Sequence, residues 1–172
     1  MTDDAPWLDE FAGLYDRCFA KVYNYVRYRV GDPAAADDVT SRVFEKALGG
    51  FARFDPRLAP AEAWLFAIAR NAVNDHFRAK RWLSWLPFDV LGERPGRDPA
   101  ADDYLLENEA RQGILRRLEG LSERERELIA LKFGARMTNR AIAAQVGLKE
   151  SHVAVILFRA LRKLRSKMRE SA

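Results

Sequence analysis

The chain has 172 residues, and 48% of them are hydrophobic, so it can bury a core in one domain or in two small ones. Its formal net charge of +4 is unevenly placed: residues 1–50 carry a net −3 and residues 151–172 a net +5. The basic end suits a phosphate-bearing partner, and the acidic end suits a basic or polar one. One cysteine excludes an intrachain disulfide. The acidic start and the lack of an apolar run near the roughly 18 residues of a membrane span indicate a cytoplasmic protein without membrane insertion.

Apolar residues at helical spacing predict a long first helix over about residues 7–29. Cys18 lies on its apolar side and is expected to be a small core residue. The predicted buried stripe consists of Leu8, Phe11, Tyr15, Cys18, Phe19, Val22 and Val26.

Two further helices are predicted in the first half. Asp32 as N-cap and Pro33 as the first helical residue begin a helix that runs to Leu48 and ends at two glycines. Pro60 begins a third helix over about residues 60–81, in which Trp64 continues the apolar side.

The helical pattern lapses after residue 83, where LPFDVLGERPGRDPAADD combines prolines, glycines and clustered charge. A helix over about 104–119 follows, and Ser122 with Glu125 forms a capping box for another helix over about 123–133. The sequence therefore predicts an all-α fold of two small helical domains, 5–82 and 104–170, joined by a flexible linker at 83–103.

The segment TNRAIAAQVGLKESHVAVILFRALRKLR, residues 138–165, has the pattern of a helix-turn-helix. Gly147 falls at the turn, where a residue without a Cβ is favoured. Ala141 is expected on the buried face of the first helix, and Leu161 on that of the second. A basic second helix suits the major groove of DNA.

Both halves together resemble a bacterial RNA polymerase sigma factor of the extracytoplasmic-function (ECF) class. The first half is similar to sigma region 2 through FAGLYDRCFAKVYNYVRYRV, AADDVTSRVFEKAL and AWLFAIARNAVNDHFRAKR, in the family's order. The second half is similar to region 4 through LSERERELIALKFGARMTNRAIAAQVGL. The resemblance implies binding to core RNA polymerase, recognition of two promoter elements, and strand opening. It implies no covalent chemistry.

The resemblance assigns the polar face of the second helix to core RNA polymerase. The residues implied are Asp37, Asp38, Ser41, Arg42 and Glu45. Relatives usually have Gln-Glu where this chain has Ser41-Arg42, so the role is expected to hold while the contacts differ.

The third helix and the loop before it are assigned to the −10 promoter element, where an unstacked base would be held by the loop at residues 55–59. Amide side chains pair with base edges, and basic ones neutralise phosphates. The residues implied are Arg57, Arg70, Asn71, Asn74, Arg78, Lys80 and Arg81.

The helix-turn-helix is assigned to the −35 element as duplex DNA. The residues implied are Thr138, Asn139, Arg140, Lys149, Glu150, Ser151, His152, Val155 and Arg159. Many relatives have Val-Lys-Ser-Arg after the turn, whereas this chain has Val153-Ala154-Val155-Ile156. Either the readout shifts to the flanking polar residues, or the helix presents an apolar strip to another surface. Val155 suits a thymine methyl group.

The alternative is a helix-turn-helix repressor or activator that binds duplex DNA without polymerase. A small enzyme is disfavoured, because the chain has two histidines, no glycine-rich phosphate loop and no metal-ligand spacing. We therefore expect no catalytic residues, metal or cofactor. Core RNA polymerase and promoter DNA are the expected partners, and an anti-sigma factor is a candidate partner because such proteins often hold relatives inactive.

Overall fold

The computed structural model describes residues 6–84, 113, 118 and 120–170. The described residues form helices and no strand, which confirms the predicted all-α fold. The predicted linker from residue 85 onward, and most of the predicted helix at 104–119, lie outside the described residues.

The first half contains three packed helices, α1 (Pro6–Val30), α2 (Pro33–Phe51) and α3 (Ala61–Ser84). The predicted start of α2 is confirmed, because the Asp32 carboxylate accepts a hydrogen bond of 2.7 Å from the Ala35 amide. The helix continues through both glycines to Phe51, three residues beyond its predicted end at Leu48.

The second half contains α4 (Glu123–Ile129), a π-helical turn (Ala130–Gly134), α5 (Asn139–Val146) and α6 (Glu150–Glu170). The predicted capping box begins α4: the Glu125 amide donates to Ser122 Oγ at 3.2 Å, and the Ser122 amide donates to Glu125 Oε2 at 2.9 Å. The helix predicted at 123–133 is thus α-helical at first and widens into the π-helical turn, where Ala135 N donates to Ala130 O at 3.0 Å.

The two halves pack directly on one another, and their buried residues form one apolar cluster. The π-helical turn lies along α1, and α5 lies against α3. Gly134 makes this approach possible. A Cβ there would stand 3.0 Å from the Tyr25 amide nitrogen and 3.1 Å from the Asn24 carbonyl, which are backbone atoms that cannot rotate away.

Several predicted core positions are wrong. Cys18 and Val22 of the predicted stripe are buried, whereas Leu8, Tyr15 and Phe19 of α1 are exposed, because Leu14 and Tyr25 complete the buried side instead. Ala141 of α5 and Leu161 of α6 are also exposed, since Ile142 and Ala160 supply the inward faces there. Each error lies at the edge of a helical face, where burial depends on how far the neighbouring helix extends.

Glu125 gives a pH-dependent test of the second half. Its side chain is buried, and the Lys163 ammonium lies 2.7 Å from Oε1, which holds the pKa of this carboxyl below its ordinary value despite the opposing effect of burial. Because the folded pKa is depressed, the stability from this pair is present above the unfolded pKa and is lost as the pH falls through the folded pKa. Glu125→Gln should therefore cost about 2 kcal/mol at neutral pH. This penalty should shrink in acid, as measured by urea unfolding at a series of pH values. An equal penalty at both ends of the series would contradict the assignment.

Candidate nucleic-acid interface

The helix-turn-helix is built from α5, the turn at Gly147 and α6. Gly147 has φ = 68°, the left-handed conformation that glycine adopts without strain, and its amide donates to Ala143 O. Thr138 caps α5, since its hydroxyl accepts from Ala141 N at 3.1 Å. The two helices are bent by 105° relative to one another, within the range of about 90–120° typical of DNA-binding helix-turn-helix units.

The start of α6 presents the predicted readout positions to solvent. Lys149, Glu150, Ser151 and His152 are all exposed, and Arg159 lies two turns further on the exposed side. Of the supporting residues, Thr138 and Arg140 are exposed, whereas Asn139 is half-buried and accepts from Lys132 Nζ at 2.8 Å. The exposed surface is therefore continuous from the start of α5 to the middle of α6.

An apolar strip runs beside these positions on α6, comprising Ala154, Val155, Phe158 and Leu161. Phe158 is 65% exposed and Val155 45%. Ile156, by contrast, is partly buried against the core. The unusual residues after the turn thus divide into one core residue and a solvent-facing strip.

The basic residue Lys163 of α6 contacts the start of the second half. Lys163 donates to both carboxylate oxygens of Glu125, at 2.7 and 3.0 Å, and so ties α6 to the start of α4. The remaining bases of its second half, Arg159, Arg162, Arg165, Lys167 and Arg169, are exposed. They form a basic surface on the side of α6 that faces away from the core.

The polar side of α3 is only partly open. Asn71, Arg78, Lys80 and Arg81 are exposed, and Asn74 is half-buried. Arg78 pairs with Asp75 at 2.8 Å. Arg70, predicted to face DNA, instead turns to the second half, where its Nε lies 2.8 Å from Glu127 Oε1.

The loop between α2 and α3 stands over a group of aromatic rings. Arg57 Nη2 and Asp55 Oδ2 pair at 2.7 Å, and this hydrogen-bonded guanidinium holds the pKa of the Asp55 carboxyl below its ordinary value. Behind the loop, Phe54 lies 5.0 Å from Trp64 between ring centroids. Residues 55–59 of this loop are thus held by an internal ion pair, and an apolar surface lies behind them.

The exposed face of α2 carries the predicted polymerase contacts, Asp37, Asp38, Ser41, Arg42 and Glu45, all of which are solvent-accessible. An aromatic ridge continues this face onto α1: the Tyr15 ring lies 4.7 Å and the Phe19 ring 5.7 Å from that of Phe44, between centroids. The helical spacing of Tyr15 and Phe19 predicted core positions, so this ridge was not expected from the sequence.

Neither a metal site nor a membrane span is found in the described part of the chain. Residues 6–84 and 120–170 contain no group of three or more His, Cys, Asp or Glu that could hold a metal ion. In those ranges no single helix is both long and apolar enough to cross a membrane. Taken together, α5 and α6 are long and apolar enough for a membrane span, but the chain bends by 105° at the turn between them.

Family models match both halves of the chain. The model for sigma-70 region 2 matches residues 14–83, and the model for sigma-70 region 4 matches residues 117–166. The chain belongs to the sigma-70 family. The resemblance derived from the sequence motifs is thereby confirmed, with region 2 comprising most of α1 to α3 and region 4 comprising α4 to α6.

Two curated relatives of this sigma-70 family chain are named as ECF sigma factors. The ECF RNA polymerase sigma factor BldN of Streptomyces coelicolor is 31% identical over 156 residues, which is 91% of this chain and 59% of BldN. The ECF RNA polymerase sigma factor SigD of Mycobacterium tuberculosis is 29% identical over 151 residues, which is 86% of this chain and 71% of SigD. The chain thus spans 59% of the length of BldN, which is less than two thirds, and 71% of the length of SigD.

Two solved structures share the fold of this chain. CnrH, in complex with the cytosolic domain of CnrY, is similar with a TM-score of 0.70 at 24% identity, covering 94% of this chain and 89% of CnrH. The sigma factor RpoE, in complex with the anti-sigma factor NepR from Bartonella quintana, gives a TM-score of 0.69 at 18% identity, and the match covers 93% of this chain and 97% of RpoE. At these identities the likeness concerns the fold, and it extends over both regions.

Proposed function

We propose that the chain is an ECF sigma factor, which binds core RNA polymerase and directs it to promoters through a −10 and a −35 element. The observation that carries this proposal is the presence of regions 2 and 4, in that order, on two helical units that each present an exposed polar face. A sigma factor performs no covalent chemistry, in keeping with the binding surfaces described above. This role would place the chain in the cytoplasm.

The proposed tasks are divided among three surfaces. The α2 face would bind core polymerase, with Tyr15 and Phe19 as apolar contacts beside the polar residues. Polar interface rims around an aromatic centre are typical of protein–protein contacts. The α3 face and the Asp55–Ala59 loop would hold the opened −10 strand, and the start of α6 would read −35 duplex DNA.

An anti-sigma factor is a proposed further partner. Two proteins with the same fold were solved with a partner protein: the sigma factor RpoE in complex with the anti-sigma factor NepR, and CnrH in complex with the cytosolic domain of CnrY. The exposed apolar strip of α6 is compatible with a protein surface as well as with thymine methyl groups. Exposed apolar patches commonly mark interaction sites.

The decisive experiment is a binding and transcription assay with purified core RNA polymerase. The protein should co-elute with core and should direct it to start at discrete sites on a fragmented genome. A protein that binds duplex DNA but never co-elutes with core would instead be a regulator that acts without polymerase. That outcome would overturn the proposal while leaving the helix-turn-helix assignment intact.

Arg159 allows a separate test of the −35 assignment. Its exposed guanidinium is proposed to neutralise one phosphate, so Arg159→Ala should weaken −35 duplex binding and reduce the slope of log K against log salt by about 1. The measurement is a salt titration of DNA affinity. Arg17→Ala, which removes an exposed arginine of α1 far along the chain from the helix-turn-helix, should leave the slope unchanged. An unaltered slope in the Arg159 variant would count against this contact.

A further inference from the structure

Arg136 has a backbone conformation that arginine rarely adopts. It lies in the connection between the π-helical turn and α5, and its φ of 57° falls in the left-handed region. In the described part of the chain it is the one residue other than glycine with a positive φ. A side chain is strained there because its Cβ approaches the following carbonyl oxygen, whereas glycine has no Cβ. The connection therefore has an arginine at a position where glycine would be more stable.

Neighbouring contacts hold this conformation in place. The Ala135 amide donates to Ala130 O and the Met137 amide donates to Leu131 O, both at 3.0 Å. Ala135 is buried, and Met137 packs against the core. The chain is thus fixed on both sides of Arg136, whose own side chain is exposed.

No contact within the described residues makes use of the Arg136 side chain. In residues 6–84 and 120–170 its guanidinium has neither an ion pair nor a hydrogen bond. Arg140 differs, since its Nε lies 3.8 Å from a carboxylate oxygen of Glu150. Strained residues held by their surroundings cluster at functional sites, where the strain is part of how a group is placed. The exposed cation is therefore available to a partner.

The position of Arg136 suits the DNA backbone. It precedes Thr138, the N-cap of α5, by two residues, which span at most about 7 Å. In a helix-turn-helix the first helix crosses the sugar–phosphate backbone while the second enters the major groove. Thr138 and Arg140 are exposed at this end of α5, and Arg136 adds a further positive charge beside them.

We propose that Arg136 binds a DNA phosphate next to the −35 element, and that its strained backbone places the guanidinium for this contact. The proposal rests on the DNA-reading part of the proposed function and is independent of polymerase binding. Because the connection is already fixed, little main-chain freedom is lost when DNA binds. A phosphate contact carries no sequence information, so Arg136 would contribute affinity and orientation rather than base readout.

Replacing Arg136 should raise stability and lower DNA affinity at the same time. Arg136→Gly removes both strain and charge, so the thermal midpoint of unfolding should rise by roughly 2–4 °C. Binding of the full chain to a duplex of about 30 base pairs of mixed sequence should weaken about fivefold to tenfold in low salt. The slope of log K against log salt should fall by about 1.

Further variants separate charge from strain. Arg136→Lys keeps both and should match the parent in midpoint and in salt slope. Arg136→Asn removes the charge but tolerates the left-handed conformation, so it should bind DNA as weakly as the glycine variant without loss of stability. Arg53→Gly removes an exposed arginine from a turn of ordinary backbone and should not raise the midpoint. Arg17→Ala is the control for the salt slope.

The outcomes separate this contact from the proposed function. A lower midpoint in Arg136→Gly would mean that the arginine serves folding, and an unchanged salt slope would mean that it binds no phosphate; either result overturns the proposal. If the slope falls in Arg159→Ala but not in Arg136→Gly, the −35 assignment stands and the Arg136 contact fails. If the Arg136 variants behave as expected but core polymerase is not bound, the contact stands and the sigma assignment fails.

Discussion

Replacing Asn71 with alanine should reduce promoter opening by tenfold or more while leaving affinity for core RNA polymerase unchanged. Asn71 is exposed on the polar side of α3, and a side-chain amide that pairs with a base edge contributes about 1–3 kcal/mol of recognition. Core polymerase is proposed to bind the α2 face, which is a different surface. Opening is measured by permanganate footprinting of the promoter, and core affinity by titration with labelled protein.

The control for Asn71 is Arg17→Ala, which removes an exposed polar side chain of α1. It should change neither measurement. If Asn71→Ala lowers core binding and opening by the same factor, the residue acts through the polymerase contact or through folding, and its assignment to the −10 element is wrong.

Leu128→Ala should lower the free energy of unfolding by about 3 kcal/mol, because truncating a buried leucine removes apolar burial and leaves a cavity. Leu128 has no exposed surface, and it lies on α4 within the single apolar cluster that both halves share. The measurement is urea unfolding of the complete chain, followed by circular dichroism.

Val155→Ala is the matched variant for this stability test. Val155 lies on the exposed strip of α6, and alanine has the higher helix propensity, so stability should change by less than about 0.5 kcal/mol. Comparable losses in the two variants would mean that the strip of α6 is buried in solution. The partition of the second half into core and surface would then have to be revised.

Local signals in the sequence predicted the helix boundaries well. Asp32 with Pro33, Ser122 with Glu125, and Gly147 each act within four residues of themselves, and all three were confirmed. The π-helical turn was not foreseen. Gly134 directly follows the predicted end of this helix at residue 133. The absence of a Cβ there lets the turn approach α1, and nothing in the neighbouring sequence indicates which surface it meets.

Long-range pairing limited what could be predicted of the site. Arg70 was assigned to the −10 element through the family resemblance. Its partner in the structure, Glu127, lies 57 residues further along the chain, where no local signal connects the two. Tyr15 and Phe19 have the same spacing as true core residues, and only the position of α2 decides that they form an exposed ridge. Residue type and period therefore identify a helical face, while the neighbouring helices determine how much of it is covered.

The remaining assignments at the site are predictions about partners. Asn71, Lys149, Ser151 and His152 are exposed as a DNA-reading role requires, yet exposure is a property they share with many surface residues. The five polar residues of the α2 face are likewise exposed, as a contact with polymerase requires.

The burial of Cys18 has a practical chemical consequence. It is the one cysteine in the chain, it is 1% exposed, and burial raises the pKa of its thiol. Since the thiolate is the species that reacts with oxidants and alkylating reagents, Cys18 is shielded both by protonation and by packing. A cysteine introduced at an exposed position would accordingly be the preferred site of modification in the folded protein. Probes could then be attached selectively to either half without first replacing the native residue.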